Sequence, residues 1–274
     1  MAFYNNIISL GGLKTNMNYL FIKGIISQVC RLIALLPTYI KFKLYPNKYS
    51  LEQKFEIINK HCINTLKDLK VFTYIEGKEN LPEGNVLFVA NHSNWIDAFI
   101  MLSIVDRPTA MVIAKEANWE KFPILSGWLD MFNCLHLDRE NNRAALKTMN
   151  EASNLLKETS SVGIFPEGMV TRSNNIGEFK SGAFRMAIKS QVPIVPILIE
   201  NSKDVYIPSI GFKIGKSYSK QVSVKILPPV YDHIENPKIK SSVISDLVRN
   251  TLIENQEEIF EVSDADLCME TNLI

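Results

Sequence analysis

Five consecutive apolar residues, Val86, Leu87, Phe88, Val89 and Ala90, stand between the turn-rich stretch EGKENLPEGN and the polar pair Asn91 and His92. A short uninterrupted run bounded in this way reads as a buried strand. VFTYI at 71–75, TAMVIAK at 109–115, CLHLD at 134–138, the start of SVGIFPEG at 161–168, VPIVPILIE at 192–200 and YSKQVSVKIL at 218–227 read as further strands. Helical patterns lie between and after them, over 51–69, 96–105, 142–157, 181–189 and 241–261. Repeated strand-to-helix transitions predict an α/β fold, a mixed central sheet covered by helices, with polar loops collected at one edge of the sheet. The 274 residues suit one large domain with an appendage or two small ones, and no repeat or long low-complexity linker forces a second domain.

Charge is distributed unevenly along a chain whose net charge is only +1. Residues 1–50 carry Lys14, Lys23, Arg31, Lys41, Lys43 and Lys48 and no acid, whereas the last 24 residues carry seven acids and no base. The weak total does not advertise a nucleic-acid binder, which needs basic charge concentrated along a phosphate backbone, and no nucleic acid is expected. Residues 17–40 place Leu20, Phe21, Ile25, Ile26, Val29, Leu32, Ile33, Leu35 and Leu36 at mixed three- and four-residue steps, interrupted by Lys23 and Arg31. That pattern predicts an amphipathic helix ended or kinked at Pro37. Two readings of it stay open: packing on the main domain, or lying on an anionic membrane surface with its cations at the lipid boundary. No apolar stretch is long enough for a simple spanning helix, and no leader peptide is recognised. The expected division is a basic, membrane-associating region at 1–50, a main domain at 51–261 and an acidic tail at 262–274. Cys30, Cys62, Cys134 and Cys268 lack metal-ligand spacing and read as reduced, partly buried thiols. The four histidines form no zinc pattern, so no metal is expected.

Asn91, His92, Ser93, Asn94, Trp95, Ile96 and Asp97 follow the central strand directly. In one continuous helix, residues five apart differ by about 140° and do not face each other. His92 in a turn and Asp97 in a first helical turn can meet, and a carboxylate on one imidazole nitrogen leaves the other free to accept a proton. His92 is therefore the candidate general base and Asp97 its orienter. Ser93 has two competing readings, a helix N-cap or a hydrolase nucleophile, although a G-x-S-x-G elbow is absent. Phe165, Pro166, Glu167 and Gly168 form a second polar break, with a carboxylate able to bind hydroxyls or cations and a glycine able to bring backbone close to a ligand. Arg139 and Arg172 offer forked donors suited to phosphate.

NHSNWID, with Asn91, His92 and Asp97 in place, resembles the first motif of the glycerolipid acyltransferase family that includes 1-acylglycerol-3-phosphate acyltransferases. GWLDMFNCLHLDR resembles the second, with Arg139 at the phosphate-binding position; FPEGMVTRS resembles the third and VPIVP at 192–196 the fourth. The likeness runs over roughly residues 70–230 and departs from the family at Met169 and Val170, which separate Gly168 from Thr171, Arg172 and Ser173. It implies acyl transfer from an acyl-CoA or acyl carrier protein thioester to the 2-hydroxyl of 1-acylglycerol-3-phosphate, forming phosphatidic acid, with no further cofactor. His92 would take the hydroxyl proton; Arg139, Glu167, Gly168 and Arg172 would bind the phosphate and glycerol; Lys115 would meet the anionic transition state. Glycerol-3-phosphate or another lysophospholipid is the alternative acceptor, and a noncatalytic lipid-binding protein is the alternative class. The implied partners are a lysophospholipid, the acyl thioester, possible acyl carrier protein and an anionic membrane surface, with the protein peripheral or monotopic on the cytosolic face.

Overall fold

The computed structural model describes residues 30–31, 33–115, 123–205 and 221–256. Lys14, Lys23, Cys268, most of the basic helix expected at 17–40 and the acidic tail lie outside them. A helix spanning 33–44 (α1) is followed by α2 (Leu51–Asp68), β1 (Phe72–Glu76), β2 (Leu87–Ala90), α3 (Asp97–Ile104), β3 (Thr109–Ala114), α4 (Pro123–Met131) and β4 (Leu135–Leu137). Then come α5 (Asn142–Glu158), β5 (Ser161–Ile164), a 3₁₀ turn at Ser181–Phe184 leading into α6 (Arg185–Ser190), β6 (Ile194–Glu200), β7 (Gln221–Ile226), α7 (Asp232–Glu235) and α8 (Ser241–Glu254).

The strands form one sheet in the order β1-β7-β6-β2-β5-β3-β4. All neighbouring pairs are parallel except β6 and β7, so β1 and β7 run against the other five. The expected mixed sheet is found. β2 shows why its run is wholly apolar: Val86, Phe88 and Ala90 enter one core with Phe55, Leu66, Ile100 and Met101. Leu87 and Val89 enter the other with Met149, Leu156, Met186 and Val248. Side chains alternate across a strand, so a central strand between two helical layers must be apolar at every position. Each large side chain buried there contributes about 1.5–3 kcal/mol.

α1 continues through Pro37, which corrects the first of the two expectations there, an end or a kink. Proline removes one N–H from the helix, and packing on α4 holds the segment together. Tyr39 and Phe42 lie 5.6 and 6.2 Å from the Trp128 ring, and Leu35 packs on the same core. Ile33, Ile40 and Leu44 are exposed, and at 100° per residue they lie about 160° around the helix from Leu35, Tyr39 and Phe42. Arg31, expected at a lipid boundary, pairs with Asp68 of α2 at 2.7 Å. No helix among the described residues is long and apolar enough to cross a membrane. Cys30, Cys62 and Cys134 are free thiols. Cys30 is exposed, against expectation, because its helix turns it outward; burial pushes the Cys62 thiol up to about 12 and the Cys134 thiol up to about 11.

Candidate active site

The sheet order sets the site. β2, β5, β3 and β4 are consecutive parallel neighbours, so the residues after each emerge at one edge: His92 after β2, Glu167 and Gly168 after β5, Lys115 after β3 and Arg139 after β4. At ~4.8 Å per strand, roughly 14 Å of sheet separates the His92 strand from the Arg139 strand.

His92 sits in the turn and Asp97 opens α3, the arrangement their spacing called for. The Nδ1 of His92 is 3.0 Å from Asp97 Oδ2, and the same oxygen accepts from the N–H groups of Ser93 and Asn94 at 2.8 Å each. Asp97 is fully buried, and its Oδ1 has no hydrogen-bond partner among the described residues. A carboxylate fixed by two main-chain donors holds the imidazole with Nδ1–H toward it, leaving Nε2 as the acceptor. The Phe165 ring stacks on the imidazole, with centroids 4.1 Å apart and planes at 16°.

The main chain of His92 is held as firmly as its ring. Its N–H donates to Glu167 Oε1 at 2.7 Å, and its carbonyl accepts from both the N–H and the hydroxyl of Thr171, at 2.9 and 3.1 Å. On the preceding residue, the Asn91 amide donates to the carbonyl of Ile199 and accepts from its N–H, both at 2.8 Å. This side chain continues the pairing of β2 with β6 beyond the end of β2. Asn94 reaches the carbonyls of Ser202 and Val205 at 2.7 and 2.8 Å. The sequence singled out neither the Phe165 stack nor the anchoring by Asn91, Asn94 and Thr171, because each joins residues far apart in the chain. A polar residue directly after a buried strand was the available signal for Asn91.

Glu167 is buried, and its other oxygen, Oε2, accepts from the Gly177 N–H at 3.1 Å. This framework task differs from the open hydroxyl or cation partner expected of it. Burial raises the Glu167 pKa, against the lowering effect of those two N–H groups. A Cβ at Gly177 would stand 2.9 Å from Glu167 Oε2, so glycine lets the loop come this close. Gly168 has φ +77°, and its N–H closes a turn onto the Phe165 carbonyl. A Cβ added there would meet the Arg139 guanidinium carbon at 3.9 Å, which places Arg139 against this turn.

Met169 projects outward, 68% exposed, Val170 is half-buried, and Thr171 brings the chain back to His92. Arg172 follows that anchor immediately, exposed and with φ +57°. Lys115 pairs with Asp138 at 3.0 Å, so the ammonium expected at the transition state is shared with a carboxylate. That partner holds the Asp138 carboxyl below the usual range. Ser93 is not the N-cap of α3, which is Ile96; its hydroxyl donates to the Ser173 carbonyl at 3.0 Å rather than to an imidazole. Trp128 and Phe132 are core residues, stacked at 5.9 Å.

Comparison with known proteins agrees with this architecture. Residues 73–200 match the family model described as Acyltransferase. The chain is 28% identical to a probable 1-acyl-sn-glycerol-3-phosphate acyltransferase of Mycoplasma pneumoniae, over 64% of this chain and 71% of that protein. It is 30% identical to the 1-acyl-sn-glycerol-3-phosphate acyltransferase of Saccharomyces cerevisiae, over 68% of this chain and 60% of that one. With the human alpha enzyme of the same name the identity is 29%, over 68% and 64%. The crystal structure of the 1-acyl-sn-glycerophosphate acyltransferase of Thermotoga maritima shares the fold, with a TM-score of 0.70 over 90% of this chain and 99% of that one at 20% identity. Asn91, His92 and Asp97 after β2, Glu167 and Gly168 after β5 and Arg139 after β4 lie at one sheet edge, and in sequence and fold the chain is a homologue of the 1-acyl-sn-glycerol-3-phosphate acyltransferases.

Proposed function

We propose that this enzyme transfers a fatty acyl group from an acyl-CoA or acyl carrier protein thioester to the 2-hydroxyl of 1-acylglycerol-3-phosphate, forming phosphatidic acid. The observation that carries this reading is the His92–Asp97 pair at 3.0 Å, with Nε2 unpartnered among the described residues. His92 Nε2 takes the hydroxyl proton as the acceptor oxygen attacks the thioester carbonyl carbon, and the Asp97 carboxylate stabilises the imidazolium that results. The tetrahedral intermediate collapses with cleavage of the C–S bond, and the imidazolium returns its proton to the departing thiolate. The acceptor hydroxyl is itself the nucleophile, so no acyl-enzyme is needed.

Arg139, against the Gly168 turn, is assigned the acceptor phosphate together with Arg172, while Lys115, shared with Asp138, keeps its assignment to the anionic transition state. The test of the reading is a panel of purified acceptors and donors, scored for both thiol release and lipid product. Product from 1-acylglycerol-3-phosphate is expected to exceed that from glycerol-3-phosphate and from other lysophospholipids; the reverse order makes one of those the acceptor. Lipid binding with no thiol release from any pair would leave a binding protein. Arg139→Ala is expected to raise KM for the phosphate-bearing acceptor by roughly five- to thirtyfold, the loss of one charged hydrogen bond at an exposed position. KM for the dephosphorylated analogue is expected to stay put, and an equal rise for both rejects the phosphate assignment.

α1 supports attachment to the cytosolic surface of a membrane. Its inner face is occupied by Trp128, while Ile33, Ile40 and Leu44 remain exposed beside Lys41, the division of an interfacial helix. The inner face packs on the main domain, and the outer face is the one we assign to the membrane surface. Ile40→Ser with Leu44→Ser is expected to reduce flotation with anionic vesicles while sparing transfer to a short-chain soluble acceptor. Unchanged flotation would assign vesicle binding to another part of the chain.

A further inference from the structure

Residues 169–180 carry no helix or strand, yet three of their groups act on the catalytic turn. Thr171 bonds the His92 carbonyl, Ser173 accepts from the Ser93 hydroxyl, and Gly177 donates to Glu167. A segment without regular structure has carbonyls that need partners from elsewhere. α8 and the turn after it supply them. The Ser245 hydroxyl donates to the Phe179 carbonyl at 3.3 Å and the Gln256 amide to the Asn174 carbonyl at 2.8 Å. Between these, Arg249 donates through Nε to the Gly177 carbonyl at 2.7 Å and through Nη2 to the Ile176 carbonyl at 2.9 Å.

The Arg249 contacts lie on a continuous path to the imidazole. Its guanidinium fixes residues 176 and 177; the Gly177 N–H holds Glu167 Oε2; Glu167 Oε1 holds the His92 N–H at 2.7 Å. We infer that Arg249 is a positioning residue for acyl transfer, acting through Gly177 and Glu167 on the main chain of His92. This rests on the reading of His92 as the base. α8 lies beyond residues 73–200, the span of the family model. The planar fork of arginine suits two successive carbonyls, whereas lysine offers one point charge on a flexible stem.

The test combines steady-state acyl transfer with thermal melting for Arg249→Ala, Arg249→Lys, Glu167→Gln and the Arg249→Ala/Glu167→Gln pair. A base displaced by a fraction of an ångström slows the reaction while the acceptor site persists, so kcat should fall by roughly ten- to a hundredfold with acceptor KM nearly constant. Arg249→Lys should recover part of the loss, and added methylguanidinium should restore part of the Arg249→Ala rate without raising that of the wild type. Because the two residues act in series, Arg249→Ala should cost little more once Glu167→Gln is present. Wild-type kcat in folded Arg249→Ala, or fully additive losses in the pair, overturns the inference; if the alanine variant does not fold, Arg249→Lys decides by the same kcat criterion. An inactive His92→Ala beside a fully active Arg249→Ala removes the positioning role alone. A fully active His92→Ala removes the reading beneath it.

Discussion

His92→Ala is expected to lower kcat by about 10²–10⁴-fold, the usual contribution of a positioned general base. The protein should stay folded, because the bonds that fix this turn run from the main chain of residue 92: its N–H to Glu167 and its carbonyl to Thr171. Only the stack on Phe165 and the bond to Asp97 are deleted with the imidazole. Single-turnover transfer alongside circular dichroism separates chemistry from folding. Turnover within a few-fold of wild type in the folded variant would show that another group removes the proton.

Asp97→Asn should cost kcat about a hundredfold or more, by a different route. The amide oxygen can take the place of Oδ2 and still accept from Ser93 and Asn94, but it carries no charge to stabilise the imidazolium. Its NH₂ then occupies the position of Oδ1, which has no hydrogen-bond partner among the described residues. A buried donor left unmade costs about 1–3 kcal/mol, so the melting temperature should fall as well. KM for the acceptor should move little. A variant that loses stability but keeps full kcat would make Asp97 a purely structural residue.

The layered fold was readable because buried parallel strands have an extreme pattern. Val86–Ala90 and the run within 192–200 are apolar at nearly every position, and the structure covers them on both faces. The His92–Asp97 pair was readable because a five-residue spacing makes sense only across a turn into a helix. Other features depended on contacts that local pattern does not encode. Arg249 meets its carbonyls 72 and 73 residues away, and Glu167 turns toward a loop ten residues on. Arg31 looked like a lipid-facing cation because the sequence does not reveal Asp68 beside it. Pro37 looked like an end or a kink because a local rule cannot register the packing of Tyr39 and Phe42 on Trp128. The reversed direction of β7 against β6 likewise follows from how the chain crosses the sheet, which the alternation of the strand leaves open.

The two-residue bulge at Met169 and Val170 has a bearing on how such an enzyme can diverge. Both ends of the bulge are pinned, at the Gly168 turn and at Thr171, and Met169 projects away from them. Residues can be gained or lost between those pins while the imidazole keeps its coordinates. Length at this point is thus a nearly neutral variable for the chemistry, yet it alters the relief of the surface beside Arg139. Descendants of one ancestor could reshape that surface for a different headgroup without first passing through an inactive intermediate.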